Sequence, residues 1–247
     1  MKQSIFEIVE NTHLTDLCMR MILKGDITDI SAPGQFINIK LDGLFLRRPI
    51  SVCDVSKKDS TVTIIYKIVG KGTEQMADMS AGDKLDILTG LGNGYDLSLS
   101  GDKPVLIGGG VGVPPMYMLA KELLAQGKAV TVILGFNTAS EVFYEDEFKA
   151  LGCKVFVTTV DGTKGIKGFV TDALKEIDYT YFYTCGPEPM LKALFSSTKT
   201  SGQLSFEERM GCGFGACMGC SCKTIYGNKR ICKDGPVLKK EEILWQK

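Results

Sequence analysis

The stretch Cys-Gly-Phe-Gly-Ala-Cys-Met-Gly-Cys-Ser-Cys, from Cys212 to Cys222, restricts the possible folds more than any other part of the chain. Four cysteines fall in eleven residues, and most of the rest are Gly, Ala or Met. So little side-chain bulk cannot build an apolar core, and such a segment needs a staple. The order is C-x4-C-x2-C, with eleven residues between Cys220 and Cys232, which is the plant-type [2Fe–2S] spacing. A cluster of this kind needs four thiolates around its irons and a backbone close enough to aim N–H groups at sulfur. Gly211, Gly213, Gly215, Ala216 and Gly219 permit that approach. Structural zinc is the alternative, but it favours paired C-x2–4-C knuckles on separate arms, whereas three cysteines here share one loop. Purely structural thiols are the third reading. Cys222 reads as a buried non-ligand leading into the strand CKTIYG.

Five of the nine cysteines lie in the last 36 residues. In a reducing compartment such clustering indicates metal or redox chemistry rather than disulfides. His13 is the one histidine, which excludes mechanisms needing two and argues against a Ser-His or Cys-His pair. No apolar run reaches the roughly 18–20 residues of a membrane span. The opening MKQSIFEIVEN lacks the apolar stretch of a secretory signal. The expectation is a cytoplasmic chain with no membrane association. Lys plus Arg equals Asp plus Glu at 29 each, so no basic field draws the chain to nucleic acid.

Three segments follow from the patterning. Residues 1–98 carry short β-branched stretches, QFINIKL, TVTIIYKIV and KLDIL, separated by the turns APGQ, LDGL and AGDK. These predict a small antiparallel barrel. Residues 99–200 alternate strands and helices: KPVLIGGGVG, VPPMYMLAKELLAQGK, AVTVILGF, EVFYEDEFKALG, CKVFVTTV, GFVTDALKEI, YTYFYTCG and PEPMLKALFSSTK. That rhythm predicts a parallel sheet covered on both faces. Residues 201–247 hold the cysteine-rich loop and end in DGPVLKKEEILWQK.

Two turns in the second segment suit a dinucleotide. GGGVGVPP, Gly108 to Pro115, follows a strand and opens a helix, where backbone N–H groups cradle phosphates. Pro115 stands where the common fingerprint has its last glycine. YTCGPEPML ends the last strand, where open α/β sheets bind ligands. The candidate NAD contacts are Gly109, Gly110, Gly112, Cys185, Gly186 and Pro187. Cys185 is the candidate catalytic contact, a small thiol that would let a nicotinamide lie flat against a flavin. In the first segment, RRPISV offers Arg48 as a fork for a pyrophosphate and Ser51 as a partner for a ring edge. IYKIVGKGTEQM places Gly72 and Thr73 at a helix start.

R-P-x-S, then Gly-Thr, then GGGxGxxP, then CGPxPM resembles the ferredoxin–NADP reductase-like flavoproteins. ERMGCGFGACMGCSC…CKDGPV narrows the resemblance to the electron-transfer subunits of two-subunit, NAD-linked dihydroorotate dehydrogenases, over all three segments. The resemblance implies a six-stranded FAD-binding barrel, a Rossmann-like NAD domain and a small [2Fe–2S] domain. It implies that Arg48, Pro49, Ile50, Ser51, Ile65, Tyr66, Lys67, Gly72 and Thr73 bind FAD, and that Cys212, Cys217, Cys220 and Cys232 hold the cluster. It also implies a separate FMN-containing catalytic subunit that oxidises dihydroorotate to orotate in pyrimidine (UMP) biosynthesis, joined in a heterotetramer of two plus two. The cluster loop would face that partner, with Phe214 and Met218 on its rim. The short spacing to Cys232 departs from the family and shortens a hairpin. Related FAD/[2Fe–2S] subunits serve NADH-dependent ferredoxin:NADP oxidoreductases and sulfhydrogenases, some with Asp in place of one cluster cysteine; four cysteines here favour the dihydroorotate system. A non-catalytic redox sensor is a further alternative. NTASEVFYEDEF has no Lys or Arg to meet a 2′-phosphate, and Glu141 and Glu145 would repel one, so NAD is expected over NADP.

Overall fold

The computed structural model describes residues 1–245. Six antiparallel strands, β1 (Lys2–His13), β2 (Cys18–Lys24), β3 (Phe36–Ile39), β4 (Arg48–Ser56), β5 (Thr61–Lys67) and β6 (Lys84–Leu91), close a barrel in the order β1-β2-β5-β4-β3-β6. Strand alternation explains its filling. Phe6 and Ile8, Met19, Met21 and Leu23, Ile37 and Ile39, Val62, Ile64 and Tyr66 all turn inward and are buried. Helix α1 (Lys71–Ala77) adds Met76 to this core, and Asn11 Nδ2 donates to its carbonyl (2.9 Å).

The following strands, β7 (Pro104–Gly109), β8 (Thr131–Phe136), β9 (Lys154–Thr159), β10 (Ile166–Lys167) and β11 (Tyr181–Cys185), form a parallel sheet. The interleaved helices are α2 (Pro114–Ala125), α3 (Glu145–Ala150), α4 (Val170–Leu174) and α5 (Glu188–Ser197). Here both strand faces are apolar, because helices cover both. Leu106, Val132, Leu134, Tyr181 and Tyr183 pack under α2 and α3. Val105, Ile107, Ile133 and Phe182 pack under α4 and α5. Pro114 and Pro115 start α2, where their missing N–H groups cost nothing, and Gly127 at φ +77° follows its end.

The C-terminal segment is built onto the sheet. Strand β12 (Gly202–Ser205) pairs parallel with β11, and a later strand, β15 (Val237–Lys239), pairs antiparallel with β12, giving the order β10-β9-β8-β7-β11-β12-β15. Between them stand the cysteine loop, a hairpin of β13 (Ser221–Thr224) and β14 (Gly227–Arg230), and the short α6 (Ile231–Asp234). Cys220, Ile231 and Cys232 are buried in the same core layer as Leu204 and Leu238. Helix α2 lies against β4, and Lys121 Nζ meets Asp54 Oδ1 at 2.6 Å across that contact.

Candidate functional site

A cleft of about 820 Å³ runs between the outer face of the barrel and the carboxyl ends of the parallel strands. Gly109, Phe136, Thr158, Cys185 and Ser205, at or near the ends of β7, β8, β9, β11 and β12, all line it. This is where an open α/β sheet receives ligands. Gly109, Gly110, Gly112, Cys185, Gly186 and Pro187 meet here, although the two turns are far apart in sequence. The approach is tight: a Cβ on Gly112 would stand 2.2 Å from the Cys185 carbonyl oxygen and 2.4 Å from its carbon. Gly110, at φ +53° with open space before it, leaves the turn free for a phosphate.

Burial pushes the Cys185 thiol up to about 12, against a hydrogen bond with the Ser205 side chain and with the charge of Glu207 adding to the rise. The thiol is therefore neutral around neutral pH, and it offers packing surface rather than a nucleophile. Below about pH 9 it is protonated both folded and unfolded, so it adds no pH dependence there; above that, stability falls as the unfolded thiol alone ionises. Cys185→Ala is accordingly expected to keep the wild-type pH profile of NADH-driven flavin reduction between about pH 6 and pH 9, measured by stopped-flow absorbance.

On the barrel side, strand alternation sorts the expected flavin residues. Pro49, Ser51, Ile65 and Lys67 line the cleft. Ile50 instead packs against the barrel core. Tyr66 borders the cleft, but its ring belongs to the barrel interior and its hydroxyl donates to Asn11 Oδ1 (3.1 Å). Arg48, Gly72 and Thr73 stand together beyond the cleft lining. A Cβ on Gly72 would lie 2.2 Å from Arg48 Nε, so only glycine lets this guanidinium rest on the start of α1. The Thr73 hydroxyl is committed to the preceding loop, accepting from Val69 N (2.9 Å) and donating to Gly70 O (3.0 Å). Arg47 is spent inside the fold, on Asp86 Oδ1 (3.0 Å) and on the backbone carbonyls of Asp86 and Asn38. Arg48, half-buried over the start of α1 with Nη1 donating to Leu46 O (2.6 Å), offers the charged fork that a pyrophosphate takes.

The cysteine loop fits two irons. Its thiols come in two pairs. Cys212 Sγ accepts from Ala216 N (3.2 Å) and Cys217 N (3.4 Å), and Cys217 Sγ accepts from Cys212 N (3.4 Å) and Gly219 N (3.5 Å). Cys220 Sγ accepts from Cys232 N at 3.4 Å. A [2Fe–2S] rhomb takes two thiolates on each iron, and N–H groups aimed at sulfur hold the charge. Structural zinc favours paired knuckles on separate arms, whereas three of these four cysteines share one loop. Burial opposes ionisation of Cys212, but the N–H groups of Cys217, Phe214 and Ala216 and the neighbouring thiol outweigh it and bring it down to about 6. Arg230 Nη1 donates to Gly215 O (2.9 Å) and ties the loop to α6. Cys217 is exposed and Cys232 buried, so the first pair faces outward and the second inward. Phe214 and Met218 are 43% and 52% exposed on the same loop. Cys222 lies half-buried in β13, packed against the core.

Glu141 and Glu145 part company. Glu141 lines the cleft, its carboxylate accepting from Asn137 N (3.1 Å) and Asn137 Nδ2 (3.0 Å). Glu145 is not in the cleft lining; it pairs with Lys149 (2.6 Å) and Lys164 (2.5 Å), which hold its carboxyl below the usual range. The expected repulsion of a 2′-phosphate therefore cannot rest on Glu145, whose charge is answered by a lysine from beyond β9. Phe36, Phe169 and Phe206 also line the cleft and carry no motif, since apolar residues read as core until the chain is folded; Pro236, from the CKDGPV motif, lines it too.

A closed barrel beside a parallel nucleotide-type sheet, with a cysteine loop grafted on its edge, defines an iron–sulfur flavoprotein reductase. Residues 106–195 match the oxidoreductase NAD-binding domain family, and residues 207–244 match the iron–sulfur cluster binding domain of dihydroorotate dehydrogenase B. The chain is 45% identical over 244 residues to the dihydroorotate dehydrogenase B (NAD(+)) electron transfer subunit of Fusobacterium nucleatum, covering 93% of this chain and 94% of that one. It is 44% identical to the subunit of the same name from Bacillus pumilus, covering 98% of each. The NADH-dependent reduced ferredoxin-NADP oxidoreductase structure superposes with TM-score 0.88 at 29% identity, over 98% of this chain and 90% of that chain. A Neisseria gonorrhoeae ferredoxin NADP+ reductase shares the fold, with TM-score 0.69 at 19% identity, over 80% of this chain and 90% of that one. The chain belongs to the family of dihydroorotate dehydrogenase B (NAD(+)) electron transfer subunits.

Proposed function

We propose that the chain passes electrons between the FMN of a dihydroorotate dehydrogenase catalytic subunit and NAD+, with [2Fe–2S] and FAD as its own redox groups. FAD supplies the conversion between single electrons and a hydride pair. The observation that supports the reading is that one fold carries two thiol pairs on a loop and a single cleft lined both by the barrel face and by the glycine turns of the sheet.

The residues then take roles by position. Arg48 and the Gly72 turn hold the flavin pyrophosphate, with Thr73 shaping that turn through its hydroxyl. Pro49, Ser51, Ile65 and Lys67 bound the ring system on the barrel side, while Ile50 and Tyr66 support them from within. Gly109, Gly110 and Gly112 take the NAD phosphates, and Cys185, Gly186 and Pro187 leave a flat space for the nicotinamide. Cys212, Cys217, Cys220 and Cys232 hold the irons. The outward pair, rimmed by Phe214 and Met218, faces the partner. The assembly is two plus two subunits. No helix among the described residues is long and apolar enough to cross a membrane. Nine free cysteines suit a reducing cytoplasm.

An anaerobic visible spectrum before and after one equivalent of NADH, then NADPH, tests this. Bleaching of flavin and iron–sulfur bands by NADH supports it. Bleaching by NADPH alone moves the chain toward the ferredoxin:NADP oxidoreductases, and a colourless zinc protein rejects the reading. Arg48→Ala is expected to weaken FAD retention about ten- to a hundredfold, as for a lost charge-assisted contact, while iron content stays unchanged. Flavin fluorescence after gel filtration and an iron assay check both halves.

A further inference from the structure

Asn38 lies where the barrel meets the cluster loop. Ile37 and Ile39 fill the barrel, so Phe36 and Asn38 face outward on β3. Across the β3–β4 ladder Asn38 stands opposite Pro49 and Phe36 opposite Ser51, the same outward face that lines the cleft. From that face Asn38 Nδ2 donates to the Cys212 carbonyl at 3.4 Å. The fit is close, since a Cβ on Gly213 would lie 2.3 Å from Nδ2, and Gly213 holds φ +78°.

The amide is expensive. Asn38 is 1% exposed, and its Oδ1 is buried with no hydrogen-bond partner among the described residues. An orphaned buried oxygen costs about 1–3 kcal/mol, and a leucine of similar shape would avoid that cost. A group kept at such cost, on the seam between two sites, argues for a role other than stability. We propose that Asn38 is a positioning residue that fixes the cluster loop, through Cys212 and Gly213, at one distance and orientation from the flavin face of the barrel. Electronic coupling between two redox centres decays exponentially with their separation, so a loop held loosely by even an ångström transfers slowly. This inference rests on the FAD and [2Fe–2S] reading above.

The test uses the purified full chain carrying its flavin and iron, with Asn38→Leu beside wild type. FAD content, iron content and NADH-to-dye turnover are expected to match wild type, and the thermal midpoint to match or exceed it. Cluster reduction after NADH, followed by stopped-flow, is expected to slow about tenfold or more. The electron paramagnetic resonance signal of the reduced cluster should shift with the changed loop. Gly213→Ala breaks the same seat from the other side. Its effect on transfer should combine non-additively with Asn38→Leu, because both act through one contact. Wild-type transfer and signal in Asn38→Leu would overturn the inference. So would joint loss of FAD, iron and thermal stability, which marks a merely structural residue. A wild-type chain that holds no flavin or no iron would instead sink the proposed function, and this inference with it.

Discussion

Cys217→Ser is expected to empty the loop of iron and stop electron exchange with the catalytic partner, while FAD stays bound and NADH still reduces a dye. Cys217 is the most exposed of the four thiols, and its Sγ takes the N–H groups of Cys212 and Gly219. Without it the proposed cluster would lose one of its four thiolates, and a [2Fe–2S] cluster missing a thiolate is not expected to assemble stably. The proposed flavin seat lies elsewhere, on β4, β5 and the start of α1, and among the described residues the hydrogen bonds of Cys217 stay within the cysteine loop. Iron analysis, the visible spectrum and NADH-to-dye turnover on one preparation separate the two halves. Loss of FAD together with iron would mean that the two sites fold as one.

Gly112→Ala is expected to have the opposite profile: iron retained, reaction with NADH lost. Its new Cβ would overlap the carbonyl carbon and oxygen of Cys185, and the Gly186 nitrogen lies only 2.6 Å away. These are backbone atoms at the end of a central strand, so no side chain can swing aside. The strand end or the turn must move, at about 1–3 kcal/mol or more. Both carry the proposed nicotinamide seat, and a displacement of about 1 Å there would cost on the order of a hundredfold in rate. Stopped-flow flavin reduction by NADH measures the loss, and thermal unfolding measures the strain. A variant that reduces its flavin at the wild-type rate would show that the dinucleotide does not use this turn.

The same two residues show where sequence reasoning stops. Cys217 is a candidate ligand from the chain alone, because C-x4-C-x2-C is a local pattern whose chemistry follows from spacing. The barrel and the parallel sheet are legible for a similar reason. Alternation in TVTIIYKIV and the strand–helix rhythm from Lys103 are short-range signals, read two to four residues at a time. Gly112 could be noticed as part of a glycine turn, but not its contact with Cys185. That contact joins two loops more than seventy residues apart and exists only because β7 and β11 are neighbours.

Three choices belong to the tertiary structure. Arg47 and Arg48 are adjacent and chemically alike; the fold spends the first on Asp86 and lays the second over Gly72. Glu141 and Glu145 both looked like guards against a 2′-phosphate, yet Lys164, brought across from beyond β9, neutralises one and leaves the other in the cleft. Asn38 carried no signal at all, being one polar residue in a β-branched strand. The sequence by itself determined the elements, the metal chemistry and the kind of cofactors, since these depend on residue type and local spacing. Which arginine, which carboxylate and which thiols pair was decided only by tertiary structure, because those assignments depend on contacts between segments that nothing local specifies.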